Sequence, residues 1–180
     1  YFIAEIGINH NGRLPLALHM IKIAKNSGAS AVKFQKRVAK DLLNFDEKVG
    51  TPNGYLSKNE NDIPKKKPKF GGWVYPDTRL EFDEKDYLKI KKYCNKINID
   101  LIVTPWDEES VKILKKIKIK IFKIASIDAN NFHFCEIVSK QKIPTIISSG
   151  TCTYDELKIT KKIFEKNKFP FMFMHCTSSY

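Results

Sequence analysis

Residues 4–12 carry a dense group of polar side chains directly after a short apolar stretch. Glu5 follows the apolar residues 2–4, and it precedes Gly7 and an Asn-Gly pair at 11–12. In proteins that alternate strands and helices, the turn after a strand is where ligands are held. Glu5 is therefore a candidate functional carboxylate. The alternative is a solvated glutamate beside an ordinary turn.

Two lysines lie inside apolar stretches, where a charge is costly. Lys33 and Lys123 each have apolar neighbours on both sides in the sequence. An unpaired ammonium group buried there is strongly destabilising, so an anion must face each lysine. Three uses remain open: an internal ion pair with Glu5 or Asp128, contact with a phosphate and a carboxylate of a substrate, or Schiff-base chemistry by a desolvated lysine.

Other polar side chains end the remaining apolar stretches. They are Gln35, Thr104, Ser126, Ser148 and His175 with Thr177. Two lysines and three hydroxyl groups converging on one place suit a ligand that carries a phosphate and a carboxylate. His175 fits a metal ligand, a polar contact or an acid–base group, although a lone histidine is more often structural, and His10 has the same ambiguity.

Hydrophobic periodicity predicts which elements position these side chains. Strands are expected to end at Glu5 and to cover residues 31–35, 101–104, 119–126, 145–148 and 171–175. Helical patterns begin near Pro15 and Asp83 and cover residues 111–117, 134–138 and 157–164. Six strands alternating with five helices predict an α/β fold with parallel strands and right-handed crossovers.

The strand ends favour a barrel over a doubly wound sheet. All six strands end in polar residues, as the mouth of a TIM barrel requires, whereas an open sheet concentrates its site at one switch point. No GxGxxG follows the first strand. Because a complete (β/α)8 barrel has eight strands in about 250 residues, we expect a partial barrel of six strands, taken from a longer protein.

Composition excludes several classes of function. The net charge is +12, but the lysines are spread along helices and the cluster at 65–69 lies in a polar stretch, so we expect no nucleic-acid partner. No apolar run reaches the roughly 20 residues that span a bilayer. The four cysteines show no CxxC and no zinc spacing, which is typical of reduced thiols in the cytoplasm. Residues 36–82 are irregular, and their aromatic residues with Arg79 favour a lid.

Six segments, taken in order along the chain, resemble the sialic acid synthase family. They are Ala4-Glu5-Ile6-Gly7-Ile8-Asn9-His10-Asn11-Gly12, Val32-Lys33-Phe34-Gln35, Thr104-Pro105-Trp106-Asp107, Phe122-Lys123-Ile124-Ala125-Ser126, Ile147-Ser148-Ser149-Gly150 and His175-Cys176-Thr177-Ser178-Ser179-Tyr180. One such segment is a weak signal, whereas six in register are specific. Only the irregular 36–82 stretch is loosely covered.

The resemblance implies a synthase that condenses phosphoenolpyruvate with an N-acylmannosamine-type sugar and releases phosphate. It also implies a divalent metal, commonly manganese, held by two histidines beyond residue 180, and a homodimer with a C-terminal antifreeze-like domain. Residues 1–180 would then be the N-terminal part of the barrel domain, inactive alone, and no metal ligand is expected within them.

The resemblance also assigns roles to residues of this chain. Glu5 would be the acid–base group, with Asp128 as a second carboxylate. The phosphoenolpyruvate contacts would be Lys33, Thr104, Lys123, Ser126 and Ser148. Gln35 would shape the pocket, His175 would contact substrate, and Ser178 and Tyr180 would face the sugar.

Two departures from the family pattern bear on these roles. Asp128 stands where some members have Glu, and Ser178 where some have Asn, which concern proton transfer and the N-acyl pocket respectively. The sequence does not specify the acceptor sugar. The alternatives are a class I aldolase or related transferase on the same barrel, and a non-catalytic sugar-phosphate-binding module.

Overall fold

The computed structural model describes residues 1–38 and 80–178, in which six strands alternate with five helices. The strands are β1 (Ile3–Gly7), β2 (Ala31–Lys36), β3 (Asp100–Pro105), β4 (Ile121–Ile124), β5 (Thr145–Ser148) and β6 (Phe171–Met174). The helices are α1 (Leu14–Asn26), α2 (Glu84–Lys96), α3 (Glu108–Lys116), α4 (Phe132–Ser139) and α5 (Tyr154–Lys166). A single 3₁₀ turn, Ser126–Asp128, separates β4 from α4.

The six strands form one parallel sheet in the order β1-β2-β3-β4-β5-β6. A strand order that follows the chain without reversal is that of a (β/α) barrel, whereas a doubly wound sheet reverses at its switch point. The predicted α/β partial barrel is therefore confirmed.

The two faces of the sheet bury different sets of side chains, because successive residues of a strand point to opposite faces. One face packs under the helices, where Val32, Phe34 and Phe122 are fully buried in the main core. The opposite, inner face carries a small apolar cluster made by Ala31, Ile102 and Ile146 with Ile3 and Ile121. This cluster forms an apolar floor inside the partial barrel.

Two residues further along each strand, the inner face becomes polar. The residues at these positions are Glu5, Lys33, Thr104, Lys123 and Ser148, on β1 to β5 in turn. Because all strands are parallel, these five positions lie at the carboxyl ends, which is the mouth of the barrel. The register pairs Glu5 directly with Lys33.

Helix starts are set by local hydrogen bonds that satisfy free backbone N–H groups. Asp83, Asp107 and Asn131 each accept a hydrogen bond from the backbone of the first turn of α2, α3 and α4. Thr153 and Glu156 form a reciprocal capping box at α5. Pro15 lies in the first turn of α1, as predicted.

Several element boundaries differ from the sequence prediction: β1 continues past Glu5 to Gly7, β3 spans Asp100–Pro105, and β6 ends one residue before His175. β4 begins at Ile121 instead of Ile119, because Lys118 adopts a left-handed conformation and the N–H of Ile119 donates to Leu114 O, which closes α3. Ser126 lies in the 3₁₀ turn and not on the strand. β2 extends to Lys36, one residue into the stretch predicted to be irregular.

Residues 39–79 of the predicted lid, including the lysine cluster at 65–69, lie outside the described residues. Within the described ranges, no helix is long and apolar enough to cross a membrane. Cys94 and Cys135 are buried on helix faces as predicted, and the four cysteines are free thiols.

Candidate functional site

Glu5, Lys33 and Thr104 form a contact group on the inner face of β1, β2 and β3. Lys33 Nζ lies 2.5 Å from Glu5 Oε2 and 3.4 Å from Thr104 Oγ1. The ion pair that the sequence left open for Lys33 is thus present with Glu5. The Glu5 side chain remains 47% exposed, so this carboxylate can still reach a ligand in the mouth.

Lys123 is held by neutral groups instead of a carboxylate. Its Nζ donates to Ile124 O at 2.6 Å and to the hydroxyl of Ser148. Lys123 is only 6% exposed, and burial together with the positive charge of Lys33 lowers the pKa of its ammonium group to about 8. Among the described residues, no carboxylate lies within ion-pair distance of Lys123.

The two lysines interact across the inner face. Lys33 lowers the pKa of Lys123, whereas Glu5 and Cys176 raise it. Thr104 and Ser148, which contact one lysine each, are both buried. The barrel mouth therefore gathers two ammonium groups and two hydroxyls around one carboxylate, which leaves a net positive charge and suits a small dianion.

The turn after β5 brings further polar side chains to the same rim. Gly150 N donates to Ser126 Oγ at 3.1 Å, and a Cβ added to Gly150 would collide with the Ser178 hydroxyl and lie 3.2 Å from Cys176 Cβ. Cys176 Sγ lies 3.3 Å from Ser148 Oγ. Ser126 and Ser178 thus lie on either side of Gly150, beside the residue that contacts Lys123.

Asp128 lies in the turn after β4 and forms no ion pair with Lys33 or Lys123 in the described residues. Burial raises the pKa of its carboxyl group to about 6, and one of its oxygens is buried with no hydrogen-bond partner in the described residues. The ion pair that the sequence left open for Asp128 is not formed there. Its predicted catalytic role remains a prediction.

Three further residues were considered in the sequence analysis: His175, Tyr180 and His10. His175 follows the end of β6 and is exposed, with no contact to either lysine in the described part of the chain. Tyr180 lies outside the described residues. His10 is buried and stacked on Phe82, with ring centroids 4.2 Å apart, so its environment is that of a core histidine.

Three residues near the site were not predicted. Cys176 occupies the place beside Ser148, and Arg37 and Glu81 form an ion pair, with Arg37 Nε 2.7 Å from Glu81 Oε1. Arg37 and Glu81 fall in the stretch assigned to an irregular loop. The signal that could have found Arg37 is the period-two alternation of 31–36, which continues up to the residue before it.

Comparison with known proteins gives consistent matches along the chain. The model of the NeuB family matches residues 20–180. The chain is 33% identical over 182 residues to human N-acetylneuraminate-9-phosphate synthase, covering 100% of this chain and 47% of that protein. It is 32% identical over 185 residues to N,N′-diacetyllegionaminic acid synthase of Legionella pneumophila, covering 100% and 49%. The chain thus spans about half the length of the curated relatives it matches.

A solved structure matches the same residues. The N-acetylneuraminic acid synthetase of Leptospira borgpetersenii, in complex with citrate, superimposes with a TM-score of 0.80 at 32% identity, covering 100% of this chain and 55% of that one. The similarity in structure extends over all six strands of the partial barrel.

Proposed function

Because the chain belongs to the NeuB family, we propose that the full-length protein condenses phosphoenolpyruvate with an N-acylmannosamine-type sugar to give a nonulosonic acid and free phosphate. The relatives are named as synthases of such acids or their phosphates. Their identities to this chain are nearly equal, at 33% and 32%. Both acceptor classes therefore belong in a test of the substrate.

The observation that carries this proposal is the pair of lysines at the barrel mouth. Phosphoenolpyruvate carries its phosphate and its carboxylate on the same carbon, C2, and Lys33 and Lys123 offer two ammonium groups on one inner face. A lysine–anion contact at ~4 Å contributes roughly 4 kcal/mol before desolvation at an effective dielectric constant near 20. A bound dianion would also supply the missing counter-charge for buried Lys123.

The proposed reaction requires proton transfer at the barrel mouth. C3 of phosphoenolpyruvate attacks the aldehyde carbon of the open-chain sugar, water adds at C2, and the C2–O bond to phosphate breaks. The water loses both its protons as its oxygen becomes the C2 keto oxygen: one proton ends on the aldehyde oxygen and the other leaves with the phosphate. Glu5, half exposed beside Lys33, is the carboxylate at the mouth that can take up and deliver these protons.

The described residues do not supply a site for the divalent metal that the resemblance implies. They contain no group of three or more His, Cys, Asp or Glu side chains that could hold an ion. The expected manganese ligands are therefore residues other than those described, and no step above depends on the metal. A homodimer in the cytoplasm is likewise our proposal for the full-length protein.

The direct test is phosphate release by the full-length protein. The assay combines phosphoenolpyruvate with N-acetylmannosamine, its 6-phosphate or a 2,4-diacetamido-trideoxy sugar, with added manganese or after metal removal. We expect release that requires both substrates and produces one keto acid for each phosphate. No release with any sugar, from a protein that still binds phosphoenolpyruvate, would instead favour the non-catalytic binding module.

A class I aldolase is the second candidate, and the environment of Lys123 favours it. Burial lowers the pKa of this lysine to about 8, so part of its side chain is neutral and nucleophilic near neutral pH. Borohydride reduction in the presence of a keto-acid substrate separates the two functions. Covalent labelling at Lys123 or Lys33 supports the aldolase, and absence of label with phosphate release supports the synthase.

A further inference from the structure

Arg37 lies directly after β2 and is held on three sides. Its Nε lies 2.7 Å from Glu81 Oε1, and its backbone N–H donates to Glu81 Oε2 at 3.2 Å. Its guanidinium carbon lies 5.5 Å from the centre of the Trp106 ring. A second nitrogen, Nη2, donates to Gln35 Oε1 at 3.0 Å. Because the Nε contact with Glu81 lacks hydrogen-bond geometry, the hydrogen bond to Gln35 is the one that the guanidinium makes among the described residues.

This contact fixes the orientation of the Gln35 amide. The amide oxygen accepts from Arg37, so the amide NH₂ must point the other way, since the reverse orientation would place two donors against each other. The backbone of Gln35 is also held, because its carbonyl accepts from the Tyr87 hydroxyl at 2.5 Å. Gln35 is therefore held by hydrogen bonds at both its backbone carbonyl and its side-chain amide oxygen.

The NH₂ end of Gln35 points toward Gly7, where the Glu5 carboxylate also lies, although no hydrogen bond joins the two groups in the described residues. A Cβ built on Gly7 would be 3.6 Å from Gln35 Nε2 and 3.2 Å from Glu5 Oε1, so the nitrogen and the oxygen adjoin the same point. The other carboxylate oxygen, Oε2, contacts Lys33 at 2.5 Å. Glu5 thus has a cation on Oε2, and its Oε1 lies near the same residue, Gly7, as the Gln35 NH₂ group.

Arg37 is poorly placed to act on a substrate itself. It is paired with Glu81, a carboxylate that also lies 3.8 Å from Lys36 Nζ, and the Arg37 and Glu81 side chains are 16% and 12% exposed. Burial raises the pKa of Glu81 while Arg37 lowers it, which shows that the carboxylate depends on this partner. Its influence on the site must pass through Gln35.

We infer that Arg37 is a positioning residue that holds the Gln35 amide in the orientation that presents its NH₂ to Glu5. The inference rests on the proposed function, in which Glu5 handles protons at the barrel mouth. Loss of Arg37 frees the amide to rotate, so its NH₂ group no longer keeps a fixed direction on the Glu5 side of the mouth. The expected effect is on turnover, because the lysines that hold the anionic substrate are untouched.

The test is a double-mutant cycle in the full-length protein with the substrates that give phosphate release. Arg37→Met is expected to lower kcat about tenfold and to leave KM for phosphoenolpyruvate within about twofold. In a Gln35→Met background the same change is expected to have almost no further effect, because both substitutions remove one contact. Lys112→Met, on the exposed side of α3, is the control and leaves kcat unchanged.

Arg37→Lys covers the case in which the Met variant does not fold. Lysine keeps the charge beside Glu81 but lacks the planar fork that holds Gln35, so we expect a melting temperature near wild type with kcat still reduced. Wild-type kcat in Arg37→Lys and Arg37→Met would overturn the inference. So would equal losses from Arg37→Met in the wild-type and Gln35→Met backgrounds.

A readout without turnover separates this inference from the proposed function. With glutamine labelled at its side-chain nitrogen, the NMR signals missing in Gln35→Met identify the Gln35 amide. These signals should move to the position of a free glutamine in Arg37→Met or Arg37→Lys. If they do so in a protein without synthase activity, only the proposed function fails. If they stay in place in an active protein, the positioning role fails.

Discussion

At the scale of single residues, Lys123 is the side chain whose environment most constrains the function. It is 6% exposed, and its neighbours are a carbonyl, a hydroxyl and, across the inner face, a second lysine. Burial of an amine among neutral groups disfavours its charged form. Retaining such a residue costs stability, and a bound anion in the mouth would offset that cost.

Lys123→Met should reveal this cost as a pH-dependent difference in stability. The pKa of Lys123 falls from 10.5 to about 8 on folding. Between these values the unfolded chain holds a proton that the folded chain lacks, so the stability conferred by this site rises with pH. The stability of wild type relative to Lys123→Met should increase by roughly 2 to 3 kcal/mol between about pH 7 and pH 10.

Urea unfolding of both proteins in phosphate-free buffer measures this difference. The lysines, tyrosines and cysteines that do not interact with Lys123 titrate alike in both proteins, so their contributions cancel. Only Lys33 and Cys176, which interact with Lys123, contribute to the difference besides Lys123 itself. A difference that stays constant over the whole pH range would show that Lys123 titrates normally in the folded protein.

Asp128→Asn is expected to stabilise the protein at neutral pH. Burial raises the pKa of Asp128 from 3.8 to about 6, so the folded protein loses stability as the pH rises through this window. Replacing the carboxylate with a neutral amide should add about 1 to 2 kcal/mol near pH 7, after allowance for solvent screening, and nothing near pH 4.

Thermal and urea unfolding at these two pH values give the answer. Asp155→Asn, which changes an exposed aspartate in the first turn of α5, is the matched control and should not stabilise the protein. A destabilised Asp128→Asn near pH 7 would mean that the carboxylate has a favourable partner in solution.

At the scale of elements, the turn between β5 and α5 contacts the residues that follow β4 and the residues that follow β6. Gly150 approaches the residues after β6 so closely that a side chain has no space between Ser178 and Ser126. Its N–H is also committed to Ser126 Oγ. The missing side chain at this position therefore sets the distance between the β5 turn and the residues that follow β6.

Gly150→Ala should weaken phosphoenolpyruvate binding by about tenfold or more, since the added methyl group must displace the segment with Cys176 beside Ser148. Calorimetric titration of the full-length protein measures the affinity. Thr153→Ala is the control in the same turn: loss of its cap should cost about 1 kcal/mol of stability and leave binding unchanged. Equal affinity in Gly150→Ala and wild type would exclude the close approach as a determinant of binding.

Most elements could be predicted because their periodicities are strong. The alternation of Val32 and Phe34 with Lys33 indicates two faces, and the structure buries the first two under helices. The start of β4 could not be predicted, because Ile119 looks like a strand residue although its N–H closes α3. Local pattern does not reveal which backbone groups a preceding helix will use.

For the candidate site, the positions of the side chains could be predicted from the sequence, whereas their contacts could not. Positions at the strand ends follow from the pattern, so the approach of Glu5, Lys33, Thr104, Lys123 and Ser148 could be expected. Their individual contacts could not, because the pairing of Glu5 with Lys33 depends on the strand register. Arg37 and Glu81 are 44 residues apart in the chain, and only the folded structure brings them together.

At the scale of the whole molecule, the inner face of the sheet is layered along the barrel axis. Ala31, Ile102 and Ile146 make an apolar floor, and the charged and hydroxyl side chains lie one layer above it at the mouth. The low-dielectric floor strengthens interactions between these side chains and an anion above them. A positive net charge of +12 adds a long-range attraction for anionic substrates.

The most direct test of this account is the affinity of the full-length protein for phosphoenolpyruvate when single lysines are removed. Lys123→Met should weaken binding by about thirtyfold or more, because it removes a buried charge that faces the ligand. Lys120→Met, which changes the exposed residue directly before the same strand, should leave the affinity within about twofold of wild type. Wild-type affinity in Lys123→Met, or an equal loss in both variants, would contradict a substrate site at the barrel mouth.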